Sequence, residues 1–512
     1  MAKKLFGTDG IRGRAGEFPL DPRTVVALGM ALAEDLDHHR NTGPVLIGMD
    51  TRESGPAIAA QLAYGLRAVG TRVSVEFAGV LTTPGVAYLT RTGHYPAGVM
   101  ISASHNPFED NGIKVFAHSG FKLPDGEEHE VEEAIFRLLP DVEAHGPRRA
   151  APNSSGTPAQ ADGAARSCAR SSEAQEPPNP APEIGGTTRS AGSGGVTCAY
   201  FSDDRCDIAP LTASIGPQPY LDFLLSTLSA PASGRPLAGL RIVLDCGNGA
   251  ASALAPDLFR QAGADVTAIH SQPNGRNINL NCGALHVESL RAQVLANGAD
   301  AGVAFDGDAD RVMLVAPSGR IVDGDAMLLI AARRLQADGH LPGNLVISTV
   351  MSNLGLEKAL DRLGIAMPRT PVGDKYVLEE MVRRGAALGG EQSGHIIFRE
   401  YATTGDGILT ALKVLETAVM AGATLDDLTA DLIVYPQLLV NVRVKERRPL
   451  QQLPRVTDEI RACEAELNGS GRILVRYSGT EPLLRVMVEG LENGHVRKLA
   501  DRVTAAIHAD LG

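Results

Sequence analysis

The chain has 512 residues, of which 44% are hydrophobic and 21% charged, and its formal net charge is −12. That length supports several cores and roughly three or four domains. The acidic balance excludes a general nucleic-acid binder, which needs a basic face, but leaves room for a small phosphorylated substrate held by a few local cations.

Six cysteines with no CxxC pair and no regular spacing argue against a disulfide framework or a zinc site. The start, Met1 to Gly7, has no apolar signal core, and no run reaches membrane-spanning length, so a soluble cytoplasmic protein without a membrane partner is expected.

In chain order, the first β-like run is Val45 to Met49, followed by a helical stretch from Ser54 to Val69. A second run, Arg72 to Phe77, precedes a helix around Val86 to Arg91. The apolar run Gly98-Val99-Met100-Ile101 then ends abruptly in Ser102-Ala103-Ser104-His105-Asn106-Pro107. A buried strand that delivers a hydroxyl to a loop at its carboxyl end reads this way, and open α/β sheets place their chemistry there. Ser104 is the candidate nucleophile, and Lys114 follows the turn-prone Asp110-Asn111-Gly112.

From Arg149 to Ala199 the chain is rich in Ala, Ser, Pro, Gly and Glu, with Ile184 and Val196 as its only large aliphatics. Such a segment cannot bury enough apolar surface to offset its ordering entropy, which predicts a disordered insertion over about 150–216. A helical pattern resumes at Tyr220 to Leu225.

The strand–helix rhythm then returns twice. Arg241 to Asp245, a helix from Ser252 to Gln261, Asp265 to Ile269, a helix from Val287 to Ala296, and Ala301 to Phe305 form a second unit. Leu345 to Thr349, helices near Leu354 to Leu363 and Lys375 to Arg384, and Ala387 to Gly390 form a third. Strands separated by helices of this length imply right-handed βαβ units. A fourth unit runs from about Leu438, with strands at Leu439 to Val444 and Leu483 to Val488 and a closing helix from His495 to His508.

The third strand of each βαβ unit ends in a polar loop: Ser104-His105-Asn106, Asp306-Gly307-Asp308-Ala309-Asp310-Arg311, and Glu391-Gln392-Ser393-Gly394-His395. Three carboxylates alternating over five residues repel one another unless a cation holds them, and hard oxygen ligands suit Mg²⁺, Ca²⁺ or Mn²⁺. A calcium-loop template fails, because Arg311 stands where glycine is needed and Pro317 where glutamate is needed. A solvated acidic turn is the competing reading; the core-like flanks Val303-Ala304-Phe305 and Val312-Met313-Leu314 speak against it.

Magnesium held by three carboxylates keeps open positions, and a phosphorylated Ser104 would be a natural further ligand. Arg476, Ser478, Gly479, Thr480 and Arg485 offer a planar cation, hydroxyls and an accessible backbone, a plausible phosphate cradle or else a plain hairpin turn. Near the start, Gly7-Thr8-Asp9-Gly10-Ile11-Arg12-Gly13 fits neither the P-loop nor the dinucleotide template. Glu391 and Ser393 could bind sugar hydroxyls, whereas His395 in such a setting more often packs or caps.

These four loops, in this order, resemble the signature loops of the α-D-phosphohexomutases over nearly the whole chain except about 150–216. The opening Phe6 to Gly13 and the Glu391-Gln392-Ser393 loop look most like the bacterial branch acting on glucosamine phosphates. The resemblance implies three successive βαβ-type domains with mixed sheets around a central cleft, plus a C-terminal α+β domain. The boundaries expected are 1–149, an insertion at 150–216, 217–340, 341–436 and 437–512. It implies interconversion of glucosamine 6-phosphate and glucosamine 1-phosphate on the route to UDP-N-acetylglucosamine, through a phosphoserine enzyme and a bisphosphorylated sugar.

By the same resemblance Ser104 is the phosphoryl carrier, modified as phosphoserine, and a metal ligand beside Asp306, Asp308 and Asp310, with Mg²⁺ as cofactor. Arg12, His105 and Lys114 act at the reacting end. Thr8, Asp9, Glu391 and Ser393 bind the sugar phosphate, and Arg476, Ser478, Gly479, Thr480 and Arg485 bind its distal phosphate. A small-molecule sugar phosphate is the expected partner, and a monomer or homodimer the expected assembly. A glucose- or mannose-phosphate mutase with the same mechanism is the main alternative, and a metal-dependent sugar phosphatase a distant one.

Overall fold

Buried apolar runs set up the sheets of this computed structural model, which describes residues 5–7, 9–39, 41, 43–68, 73–145, 213–229, 234–478 and 483–511. Most of the expected insertion lies outside the described residues. Residues 213–216, assigned to it from the sequence, are instead tied down: the Ser214 N–H donates to the Phe77 carbonyl at 2.8 Å. An unpaired edge strand offers such bonds, which composition cannot reveal.

One topology occurs three times. In the first sheet Ser74–Val80, Pro44–Met49 and Ala97–Ile101 lie parallel in that order, and Asp110–Ala117 returns antiparallel beside the last. The second repeats it with Asp265–Ile269, Arg241–Asp245, Ala301–Phe305 and the returning Val312–Val315. The third uses Arg369–Thr370, Val346–Thr349, Leu388–Gly390 and the returning Ile396–Phe398. The central strands Ala97–Ile101 and Ala301–Phe305 are buried throughout, as continuous apolar runs covered on both faces should be, and Val346–Thr349 is buried as well despite its Ser348 and Thr349. The hairpin joining the third strand to its return is therefore equivalent in all three sheets, and it carries the Ser104, Asp306 and Glu391 loops in turn.

Several local readings change. Asp110-Asn111-Gly112 is the start of a strand, not a turn. The chain reverses earlier, through Asn106-Pro107, and Gly112 is needed because a Cβ there would sit 2.5 Å from the Ser102 carbonyl oxygen. The helix expected from Ser252 is a 3₁₀ turn at Ala250–Ala253 followed by an α-helix at Ala255–Gln261. Pro256 lies in that helix's first turn, where its missing N–H costs nothing. Arg476 lies inside a strand, Arg472–Tyr477.

One hydrophobic cluster joins the first three sheets, running from Leu46, Met100 and Phe116 through Leu244 and Phe305 to Leu388 and Leu412. The C-terminal sheet, in which Leu483–Glu489 pairs antiparallel with both Gln437–Arg443 and Arg472–Tyr477, has its own core from Val442 to Leu511. Polar ties link it to the third unit: Arg472 donates to the carbonyls of Val350 at 2.9 Å and Ser352 at 2.6 Å. The buried Glu489 accepts from Arg472 at 2.5 Å and from the Leu354 N–H at 2.9 Å.

Asp325, in the first turn of helix Gly324–Ala337, is buried and accepts the Asn353 N–H at 2.7 Å. Burial, then the neighbouring Asp323, push its carboxyl up to about 8. Between the ordinary carboxyl range and that value the folded state holds a proton the unfolded chain has released, so stability falls as pH rises through this window. Asp325→Asn, which keeps the acceptor without the charge, should raise Tm at pH 8 by on the order of 2–4 °C and do little near pH 4. Thermal melts at the two pH values check this, and equal Tm values at pH 8 would refute it.

Candidate active site

Ser104 sits at the tip of the first hairpin loop with a left-handed backbone, φ +53°. A serine held there costs on the order of 1–3 kcal/mol unless its surroundings enforce it, and such outliers gather at functional sites. Its hydroxyl donates to Asp306 Oδ2 at 2.6 Å, across 202 residues of sequence and from one sheet to the next. The Ser104 carbonyl accepts from Asn279 at 2.9 Å, and a Cβ on Gly307 would lie only 2.5 Å from that oxygen. Glycine at 307 is what allows the two loops to meet.

Asp306, Asp308 and Asp310 are buried, and each offers an oxygen within 4.8 Å of the others. Burial, followed by the charges of Asp310 and Asp308, drives the Asp306 carboxyl well above the usual range. Among the described residues the Oδ1 atoms of Asp308 and Asp310 are buried without a hydrogen-bond partner, with the His395 ring 3.8 Å from the latter. Mutually repelling carboxylates with unsatisfied, inward oxygens fit a hard divalent cation, so this trio could hold a metal.

Lys114, projecting from strand Asp110–Ala117, already lies against it. Its ammonium is 2.9 Å from Asp308, 3.1 Å from Asp310 and 3.2 Å from Asp9. Burial opposes its charge, but these three carboxylates outweigh burial and hold Lys114 protonated far above its ordinary range. Thr83 donates to Asp308 at 2.5 Å. Asp9 is also paired with Arg12 and Lys122, and Lys122 reaches Asp374 at 2.5 Å. His105 accepts from Arg311 at 2.6 Å; burial, then Arg311 and Arg12, push it down to about 4.

Asp9, Arg12, Asp310 and Arg311, with Asp374, Glu391 and His395, line a cleft of about 360 Å³. That is at the small end of ligand pockets, suited to a monosaccharide phosphate. Glu391 accepts the Gly373 N–H at 3.1 Å and the Ser393 hydroxyl at 3.2 Å, an arrangement that fixes a carboxylate toward the space. His395 is buried, accepts the Gly405 N–H at 2.9 Å and stands 3.8 Å from Asp310 and 3.6 Å from Asp374.

The structure thus brings Ser104, His105, Lys114, Arg12, Asp9 and the three aspartates together, with Glu391 on the cleft wall and Ser393 bonded to it. Arg476, Ser478 and Arg485 are not part of that wall. They lie on the C-terminal sheet, where Arg476 and Arg485 are directly opposite across paired strands. Like charges placed directly opposite destabilise a sheet; burial, then Arg485, lower the Arg476 pKa. Thr8, Gly479 and Thr480 fall outside the described residues. From the sequence alone, Thr83, Asn279, Arg311 and Lys122 carry no site role. Arg311 adjoins the acidic run and Asp50-Thr51-Arg52 ends an apolar strand, so the same signal that marks Ser104 was present at both.

Fold and loops define a phosphohexomutase. Models of the phosphoglucomutase/phosphomannomutase family match residues 3–140 (alpha/beta/alpha domain I), 218–319 (domain II), 323–435 (domain III) and 439–506 (C-terminal domain). The phosphoglucosamine mutase of Solibacter usitatus (strain Ellin6076) is 53% identical over 513 residues, spanning all of both chains. That of Koribacter versatilis (strain Ellin345) is 45% identical, covering 100% of this chain and 98% of the relative. The chain belongs to the phosphoglucosamine mutase family.

Solved structures share the fold at lower identity. A phosphoglucomutase/phosphomannomutase family protein from Burkholderia thailandensis has a TM-score of 0.70 at 21% identity, covering 99% of this chain and 97% of its own. The N-acetylphosphoglucosamine mutase of Aspergillus fumigatus, solved with GlcNAc-6P and magnesium, has a TM-score of 0.62 at 19% identity, covering 99% and 96%. Among the described residues no helix is long and apolar enough to cross a membrane.

Proposed function

We propose that this enzyme interconverts glucosamine 6-phosphate and glucosamine 1-phosphate, with Ser104 as phosphoryl carrier. The observation that supports it most directly is the Ser104 hydroxyl, held at 2.6 Å on an acidic trio beside a cleft of monosaccharide size. The chain is read as catalytic domains over 1–149, 217–340 and 341–436 and a phosphate-binding domain over 437–512.

Phosphorylated Ser104 gives its phosphoryl group to the free hydroxyl of the bound sugar phosphate. The O–P bond to serine breaks as the bond to the sugar forms, producing glucosamine 1,6-bisphosphate. The sugar hydroxyl's proton leaves to a group at the reacting end, where Arg12, His105 and Lys114 stand. The bisphosphate turns over, and its other phosphoryl group returns to Ser104. Asp306, Asp308 and Asp310, with an oxygen of phosphorylated Ser104, would hold Mg²⁺, which when bound offsets charge on the transferring group. Lys114, fixed by three carboxylates, presents a permanent cation on the same side. Glu391 and Ser393 orient sugar hydroxyls. Arg476, Ser478 and Arg485 bind whichever phosphate is not reacting, so either end of the bisphosphate can be presented to Ser104.

A coupled assay with glucosamine, glucose and mannose phosphates tests the substrate. The highest kcat/KM should belong to glucosamine phosphate; a preference for glucose or mannose phosphate would overturn that choice, and steady phosphate release would favour a phosphatase. Arg476→Ala should raise KM and also lower kcat, because one contact orients both ground and transition states. The loss of a charged hydrogen bond is roughly 1.5–3 kcal/mol, about tenfold to a hundredfold in kcat/KM. An unchanged kcat/KM would remove Arg476 from the site.

A further inference from the structure

We propose that Arg52 is the positioning residue of the carrier serine: it holds the Ser104 loop, through the loop's carbonyls, in the one conformation that aims the hydroxyl at Asp306. Its side chain is fully buried, and each of its five N–H groups has a partner. Nε donates to Asp50 Oδ2 at 2.9 Å. Nη2 donates to the carbonyls of Ser104 and Asn106, both at 2.9 Å. Nη1 donates to the carbonyl of Asp110 at 3.0 Å and to that of Pro107. Three of the five bonds thus fall on the segment between strand Ala97–Ile101 and its return strand, the segment that carries Ser104, and a fourth falls on Asp110, the first residue of that return strand.

Asp50 extends the hold to the loop's other side. The same Oδ2 accepts the Ser102 hydroxyl at 2.7 Å, and the Ser102 oxygen accepts the Ser104 N–H at 2.9 Å. Both the N–H and the carbonyl of Ser104 are therefore traced back to one buried ion pair. With the peptide groups on either side fixed, the left-handed backbone of Ser104 is enforced and its Cα–Cβ bond has one direction.

Asn106 and Asp110 are only partly buried and Pro107 is exposed, so their carbonyls could be left to water, yet the guanidinium holds all three together with the buried Ser104 carbonyl. Burying an ion pair is at best weakly stabilising, whereas fixing geometry is what it does well. The planar five-donor fork is also specific. A lysine has three donors and no plane, and cannot span carbonyls from residue 104 to residue 110. Arg52 touches neither the cleft nor the acidic trio in any contact above, so its effect on the reaction passes through Ser104.

The inference rests on Ser104 being the carrier. Arg52→Lys keeps the charge beside Asp50 and removes the fork. The full-length variant should fold, carry phosphate on the Ser104 peptide by mass spectrometry, and keep KM for glucosamine 6-phosphate within about threefold while kcat falls about a hundredfold. Its phosphoserine ³¹P resonance should shift or broaden, which a remote loss of stability would not produce. Ser102→Ala, which leaves no buried charge unpaired, should lower kcat about tenfold in the same pattern. A folded Arg52→Lys enzyme with the parent's kcat overturns the proposal. If Arg52→Lys does not fold, Ser102→Ala decides, and an unchanged kcat overturns it. A parent enzyme without phosphate on Ser104 would instead sink the carrier reading and this inference with it; parental phosphoserine with an indifferent Arg52→Lys would sink this inference alone.

Discussion

Ser104→Ala should abolish turnover, with kcat falling by roughly 10⁴-fold or more, as removal of a group that is itself the covalent carrier does. The parent peptide containing Ser104 should carry phosphate by mass spectrometry, and the variant's should not. The fold should survive. The substitution deletes one hydroxyl and one hydrogen bond to Asp306, while the Ser104 backbone keeps its bonds to Ser102, Arg52 and Asn279. An alanine enzyme with full activity would end the covalent mechanism.

Asp308→Asn should be the next most damaging change. Asp308 Oδ2 accepts from Thr83 at 2.5 Å and from Lys114 at 2.9 Å, so the substitution weakens both a ligand position and the counter-charge of the fixed ammonium. A fall in kcat of roughly 10²–10³-fold is expected from losing one such electrostatic element. The parent should be silenced reversibly by chelation and should gain thermal stability on adding Mg²⁺, since a ligand that binds only the folded state stabilises it. Asp308→Asn should lose most of that gain. A parent indifferent to chelator would reduce the acidic loop to a turn.

The parts of this molecule that could be read from sequence are those where one short run carries its own signal. Arg241–Asp245, Asp265–Ile269 and Ala301–Phe305 are strands at the expected bounds, because each is a mostly apolar run between polar breaks. The loops that follow third strands were legible for the same reason: a buried strand that ends in serine or aspartate has little cause to do so unless the side chain is used.

Helix Pro22–His38 and the return strand Asp110–Ala117 are less legible. The first carries a start signal that the sequence does show, Asp21 accepting the N–H groups of Arg23 and Thr24 with Pro22 in the first turn, but it precedes the first βαβ unit and so falls outside the repeated rhythm. The second begins with Asp-Asn-Gly, whose turn propensity is overridden by pairing with Ala97–Ile101 and Gly10–Arg14. Relations between distant loops were beyond local pattern altogether. Nothing near Lys114 announces that it faces Asp308, and nothing near Asn279 announces a bond to Ser104.

In the proposed mechanism the contact between Ser104 and Asp306 divides the chemistry between two units of the chain, so neither carries the complete site by itself. Activity is consequently an all-or-nothing report on assembly. A substitution in the shared core around Phe305 or Leu244, far from any substrate atom, will register as lost catalysis as soon as it lets the two sheets drift. Inactive variants of this protein will therefore fall into two populations, one altered in chemistry and one merely parted, and phosphate on Ser104 alone will not tell them apart.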